Sequence, residues 1–317
     1  MLEHGRLICY ARARMPPIPP IEVVSLTKRY GRHRGVEDLT FQVGVGEIFG
    51  FLGPNGAGKT TTIRVLVGLL RSNGGTARIF GRDCWTGTER VHRDLAFIPG
   101  DLRLYESMGV VEFLQFMARL HGGVRPRRIE ALADRLDLDL GRTIKHLSKG
   151  NRQKVGLVQA LMHEAPLLVL DEPSVGLDPL MEVIFMDLMR EERAAGRTIF
   201  LSSHNLSEVE RLCDRVAIIR EGRLVALEHI DALKAKRVRQ MSVLFNQPVD
   251  PRAFERDGIV VLDRGERRVR LAVRGDINPL IRTLAAYDVA DLTFSEPDLE
   301  DVFLHYYKEE PAEKVDA

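Results

Sequence analysis

Two short stretches hold the residues best able to do chemistry. The first is Gly53-Pro54-Asn55-Gly56-Ala57-Gly58-Lys59-Thr60-Thr61, which fits the pattern G-x-x-x-x-G-K-[ST]. Its glycines let backbone N–H groups turn inward on phosphate oxygens. A helix opening at Lys59 adds the favourable field of its N-terminus. In such a loop the lysine reaches the β- and γ-phosphates, and the hydroxyl of Thr60 ligates Mg²⁺. The second stretch is LLVLDEP, four apolar residues that end in Asp171 and Glu172. A buried strand of this kind delivers its acids to the carboxyl edge of a sheet, where ligands of open α/β folds bind. There Asp171 would hold Mg²⁺ and Glu172 would polarise a water for attack on a γ-phosphorus. The pattern N-K-x-D, which selects guanine, is absent. Tyr30, ahead of the loop, offers a ring for stacking on adenine. Stacking of this kind gives contact area without strong discrimination between bases.

These residues need a frame, and hydropathy patterning outlines one. Strands are expected over 21–26, 38–43, 47–53, 76–81, 95–99, 167–171 and 198–203. Helices are expected over 59–70, 108–121, 126–137, 150–164, 180–195 and 205–213. Residues 215–228 suggest a hairpin about Glu221-Gly222. Strands buried on both faces and separated by helices indicate a parallel α/β sheet with a helical insert. Beyond residue 236 the pattern changes to alternating strands with one helix, then a helix over 297–307. The expected organisation is an extended Pro-rich tail over 1–20, an α/β unit over 21–236 with its helical part at about 101–163, and a small α+β unit over 237–317.

Composition sets bounds. A chain of 317 residues suits about two domains. Its 44% hydrophobic and 29% charged content is that of a soluble globular protein. A net charge of +1 gives no basic field that would gather nucleic acid. No run approaches the roughly 18 apolar residues of a membrane span. Cys9, Cys84 and Cys213 lack metal spacing and fit a reducing compartment.

A third stretch, LSKGNRQ (147–153), puts Ser148 and the Gly150 N–H at the start of an expected helix, a place that favours an anion. In order and spacing, GPNGAGKTT, LSKGNRQ, LVLDEP, SVGLDP and LSSH resemble the motifs of ABC ATPase subunits over residues 21–236. EPDLEDVFLHYY resembles the C-terminal extension of a bacterial exporter group that includes drug-resistance ATPases. The resemblance implies a P-loop NTPase of ABC type. It implies two chains meeting head to tail, with ATP between the phosphate loop of one and Ser148 and Gly150 of the other. It further implies that Asp178 lies at the dimer seam and that His204 orients Glu172 and binds the γ-phosphate. Two departures stand out. The commoner LSGGQ is replaced here at Lys149 and Asn151. The glutamine that normally follows the strand at 95–99 is replaced by Gly100 and Asp101, so Asp101 becomes a substitute candidate for Mg²⁺.

With no membrane span, the resemblance implies a peripheral homodimer on the cytoplasmic side of the membrane. It would drive a separate permease, most simply for export. A soluble ABC ATPase, or a regulatory subunit that binds ATP without hydrolysing it, is the alternative. Leu102, Leu104 and Tyr105 in the expected surface loop 98–107 are candidates for contact with the permease.

Overall fold

The computed structural model describes residues 18–235, 239–274 and 276–295. Most of the expected tail, Cys9, the junction at 236–238 and the helix expected over 297–307 lie outside the described residues. The first half contains β1 (Ile21–Tyr30), β2 (His33–Val43), β3 (Ile48–Leu52), α1 (Lys59–Leu66), β4 (Gly74–Ile79), β5 (Arg82–Asp83), α2 (Thr88–Arg93) and β6 (Leu95–Ile98). Then come α3 (Val110–Leu120), α4 (Pro126–Arg135), α5 (Lys149–Met162), β7 (Leu167–Asp171), α6 (Pro179–Ala194), β8 (Thr198–Ser203) and α7 (Leu206–Leu212). The remainder is β9 (Arg215–Arg220), β10 (Arg223–His229), α8 (Ile230–Ala235), β11 (Arg239–Phe245), β12 (Ile259–Arg264), β13 (Arg268–Val273), α9 (Asn278–Leu284) and β14 (Val289–Ser295).

Among the described residues the strands form three sheets. The largest runs β10-β9-β3-β8-β7-β6 and is parallel except for β10. β3, β7 and β8 are buried along their whole length, as parallel strands covered on both faces must be. Against the expectation of one parallel sheet, β1, β2, β4 and β5 pair antiparallel in a second sheet. Burial along β1 gives the reason. Ile21, Val23 and Leu26 are buried while Val24 is exposed, so only one face is apolar enough to cover. Phe41 of β2 meets Phe49, Phe51 and Phe200 of the parallel sheet, with ring centroids 5.5 to 6.1 Å apart. These rings seal the two sheets together.

The helices follow their caps. α1 stops well short of residue 70, because Gly68 turns the chain with φ 69°. α2 escaped expectation: its six residues TERVHR bury only Val91, too little to show a period. Pro126 and Pro179 occupy first-turn positions that need no donor. The segment between β6 and β7 is helical, as expected, and packs in one apolar cluster with α6 and one side of the parallel sheet. The third sheet, β12-β13-β11-β14, has its own cluster, with Met241, Phe245, Phe254 and Leu271 packed on Leu280 and Leu284 of α9. Cys84 and Cys213 are free and buried. Burial pushes the Cys84 thiol up to about 12, which makes it a packing residue. Among the described residues, no helix is long and apolar enough to cross a membrane.

Candidate functional site

Register decides which side chains meet. Leu52 pairs with Ser203 across β3 and β8, and Ser202 pairs with Asp171 across β8 and β7. Three adjacent parallel strands therefore end level, and the next residues, Gly53, Glu172 and His204, emerge along one edge. Gly53 N–H donates to the Ser203 carbonyl at 3.2 Å, which fixes the start of the phosphate loop. Gly58 closes the loop with φ 107°, a left-handed turn that aims the first turn of α1 back at it.

Lys59 is only 6% exposed. Its ammonium donates to the Gly53 carbonyl at 2.5 Å and the Pro54 carbonyl at 3.2 Å, and lies 3.1 Å from Glu172 Oε1. A buried lysine with two carbonyls and a carboxylate is fully paired, so the loop holds its cation inward. Pro54, Asn55, Gly56 and Thr60 are exposed, whereas Ala57 is buried. The Tyr30 and Thr61 hydroxyls lie 3.4 Å apart, which puts the half-exposed tyrosine ring beside the loop.

Asp171 is almost fully buried. Its Oδ1 accepts the Ser202 hydroxyl at 2.5 Å, and its Oδ2 is buried without a hydrogen-bond partner. An orphaned carboxylate oxygen at a strand end fits a divalent cation. Gly100 stands beside it: a Cβ there would lie 3.1 Å from Oδ2. Glu172 takes a left-handed φ of 52°, held by its N–H, which faces the Ser202 carbonyl at 3.2 Å and the Ser202 hydroxyl at 3.1 Å. Such strain in a non-glycine residue persists only where the surroundings impose it. The turn brings Glu172 Oε2 to 2.7 Å from His204 Nδ1. A carboxylate accepts there, so Nδ1 carries the proton.

Lys59, Asp171, Glu172 and His204 are thus gathered at one sheet edge, with Tyr30 at the flank. Ser148, Gly150 and Asp178 are gathered elsewhere. Ser148 caps α5 by accepting the Asn151 N–H at 3.2 Å. Gly150 abuts the loop after Glu172: a Cβ would come within 2.5 Å of the Gly176 carbonyl. Gln153 donates to the Pro173 carbonyl at 2.8 Å in the same loop. Asp178 caps α6 by accepting the Met181 N–H at 3.0 Å. Among the described residues, no hydrogen bond or ion pair joins Ser148, Gly150 or Asp178 to residues 53–61. Asp101 belongs to neither group; its exposed carboxylate pairs with Arg103 Nε at 3.1 Å.

Two supporting residues went unread in the sequence. Ser202 holds both Asp171 and Glu172, and Gln153 anchors the start of α5. The signal for Ser202 was a hydroxyl inside the wholly buried run TIFLSS, where a polar group must find a partner. Gln153 sits in an amphipathic helix whose period gives no such warning.

A family model described as ABC transporter matches residues 36–175. The chain is 32% identical over 273 residues to an uncharacterized ABC transporter ATP-binding protein of Methanocaldococcus jannaschii, covering 83% of this chain and 98% of that one. It is 34% identical over 302 residues to the bacitracin transport ATP-binding protein BcrA of Bacillus licheniformis, covering 90% and 96%. It is 38% identical over 215 residues to the daunorubicin/doxorubicin resistance ATP-binding protein DrrA of Streptomyces peucetius, covering 66% and 65%. A solved structure of an ATP binding subunit of an ABC transporter superposes with a TM-score of 0.63 at 36% identity, covering 68% of this chain and 91% of that one.

Proposed function

This chain belongs to the family of ABC transporter ATP-binding proteins, and on that footing we propose that it powers a separate membrane permease through ATP-driven closure of a dimer. The observation that carries the reading is the chain of contacts Lys59–Glu172–His204, with 3.1 Å and 2.7 Å at its two links. It joins the phosphate-binding cation, the acid and the histidine at one edge.

The phosphates of ATP enter the loop of Gly53 to Thr61. Lys59 exchanges the Glu172 carboxylate for β- and γ-phosphate oxygens, a charge-assisted contact of equal or greater strength. Glu172, released from Lys59 but still held by the His204 Nδ1–H, takes a proton from a water that attacks the γ-phosphorus. The γ-phosphoryl bond to ADP breaks as the bond to water forms. Asp171 and Thr60 would hold Mg²⁺, whose charge offsets that of the phosphates.

Ser148 and the Gly150 N–H, at the exposed start of a helix, serve the γ-phosphate of a second copy. Asp178, in the loop that Gly150 touches, lies at the seam between the copies. Tyr105 is 59% exposed, with its ring 6.2 Å from both Phe113 and Phe116, and offers an aromatic anchor for a permease segment. The subunit then works as a peripheral homodimer on the cytoplasmic face of the membrane. Export is the favoured direction, since two relatives carry names of bacitracin transport and daunorubicin/doxorubicin resistance. Residues 21–236 form the motor, and residues 237–317 regulate or assemble it.

The test is phosphate release with Mg-ATP by the purified chain, together with co-purification of a co-expressed candidate permease. Parent turnover that His204→Ala lowers, and permease capture that Tyr105→Asp loses without loss of turnover, are expected. A parent chain that binds ATP without turning it over, even with its permease, would make it a regulatory subunit instead.

A further inference from the structure

The turn that carries His204 is closed by a ring of three hydrogen bonds. The Asn205 N–H donates to Ser203 Oγ at 2.9 Å, the Glu208 N–H donates to Asn205 Oδ1 at 3.3 Å, and the Ser203 hydroxyl donates to Glu208 Oε2 at 2.5 Å. His204 is the single residue between Ser203 and Asn205, so the ring fixes the backbone on both sides of it. The first two bonds are an ordinary turn and an ordinary helix cap. The third is different, because it requires a carboxyl group inside the protein.

Glu208 is 5% exposed and lies on the buried side of α7, beside Val209 and near Leu212. Glutamate is seldom fully buried without a partner. Burial is the largest influence on its carboxyl and raises its pKa above the ordinary carboxylate value, against the pull of the Ser203 hydroxyl. Among the described residues Oε1 has no hydrogen-bond partner. The Ser203 hydroxyl has a rival acceptor, the Asn205 carbonyl at 3.3 Å, and the much shorter contact to the carboxyl decides where its proton points. That orientation turns the lone pairs of Ser203 Oγ toward the Asn205 N–H.

We propose that Glu208 is a positioning residue for hydrolysis: it closes the ring that aims His204 at Glu172. The proposal rests on the roles given above to His204 and Glu172. Glu208 itself does not touch the reacting atoms.

The experiment measures turnover and ATP affinity for Glu208→Gln, Glu208→Ala, His204→Ala and the double variant Glu208→Ala/His204→Ala in the full chain. Glu208→Ala is expected to lower kcat about tenfold or more, with KM for ATP changed less than about twofold. Glu208→Gln can still accept from Ser203 and should stay within about threefold of the parent. In the His204→Ala background, Glu208→Ala should cost nothing further, because the group it aims is gone. A merely structural glutamate would instead add its own loss to that of His204→Ala. If Glu208→Ala fails to bind ATP or to fold, Ser203→Ala removes the closing bond together with the acceptor of the Asn205 N–H, with the loss of one atom, and must give a kcat loss of about tenfold or more. Additive losses, or a Ser203→Ala chain with parental kcat, overturn the proposal. A slow His204→Ala beside a normal Glu208→Ala overturns this inference alone. A normal His204→Ala overturns the role of His204 and this inference with it.

Discussion

Lys59 and Ser148 stand at the starts of two helices of one chain, and their surroundings differ in nearly every respect. Lys59 is buried and meets two carbonyls and a carboxylate within its own chain. Ser148 is exposed, and its hydroxyl is engaged by the cap of its own helix. The phosphate loop is anchored by the central sheet, at the level ends of β3, β7 and β8. The start of α5 is anchored by Gly150 on Gly176, by Gln153 on Pro173 and by Arg152 on Glu106 and the Lys145 carbonyl. One region has its cation paired inside the chain. The other is held rigid and turned outward. That difference is what a site divided between two copies requires, since a rigid donor surface loses little freedom when a partner arrives.

The largest effect should come from the inward region. Lys59→Ala removes the cation bonded to the loop carbonyls and is expected to weaken ATP binding about 30- to 1,000-fold by calorimetry. Undiminished affinity would mean that the loop binds phosphate through its backbone alone.

The outward region should behave differently. Gly150→Ala puts a methyl 2.5 Å from the Gly176 carbonyl, so α5 and the loop after Glu172 must part. Turnover should fall about 10- to 100-fold, from displacement of groups that complete the site. ATP affinity of the single chain should stay within about twofold of the parent, since Gly150 makes no contact with the loop that binds it. Equal losses of affinity in Lys59→Ala and Gly150→Ala would erase the distinction between the regions.

A smaller, pH-dependent effect probes the far end of α5. His163 follows that helix, packs against His121 with ring centroids 3.9 Å apart, and has its pKa lowered by burial to about 4 from 6.5. The folded chain keeps this imidazole neutral while the unfolded chain protonates it. Stability is therefore intact above pH 6.5 and is lost as pH falls toward 4, by on the order of 3 kcal/mol. His163→Gln should flatten that decline in thermal unfolding between pH 7 and pH 4. The same slope in parent and variant would assign the acid sensitivity to other groups.

Legibility in the sequence followed the same division. Lys59, Asp171 and Glu172 were readable because a nine-residue loop and a buried strand with terminal acids each imply one chemistry and one placement. Their meeting was not readable, since it depends on β8 lying between β3 and β7. Ser148 and Gly150 suggested an anion site at a helix start, yet only a resemblance could say whose anion. The antiparallel second sheet was missed because its strands are apolar enough to pass for parallel ones until their alternation is weighed. Asp101 follows a strand end beside Asp171 in space, and its exposed side chain pairs with Arg103.

The divided site is tested most directly by Glu172→Gln, a neutral isostere that should leave ATP binding intact while removing the acid that ends the closed state. Size-exclusion chromatography with light scattering, with and without Mg-ATP, reads the result. A chain that is monomeric alone and twice that mass with ATP, and that loses the dimer when Gly150→Ala is added, is the expected outcome. A Glu172→Gln chain that remains monomeric while saturated with ATP at concentrations of about 100 µM, well above a micromolar dissociation constant, would contradict the account.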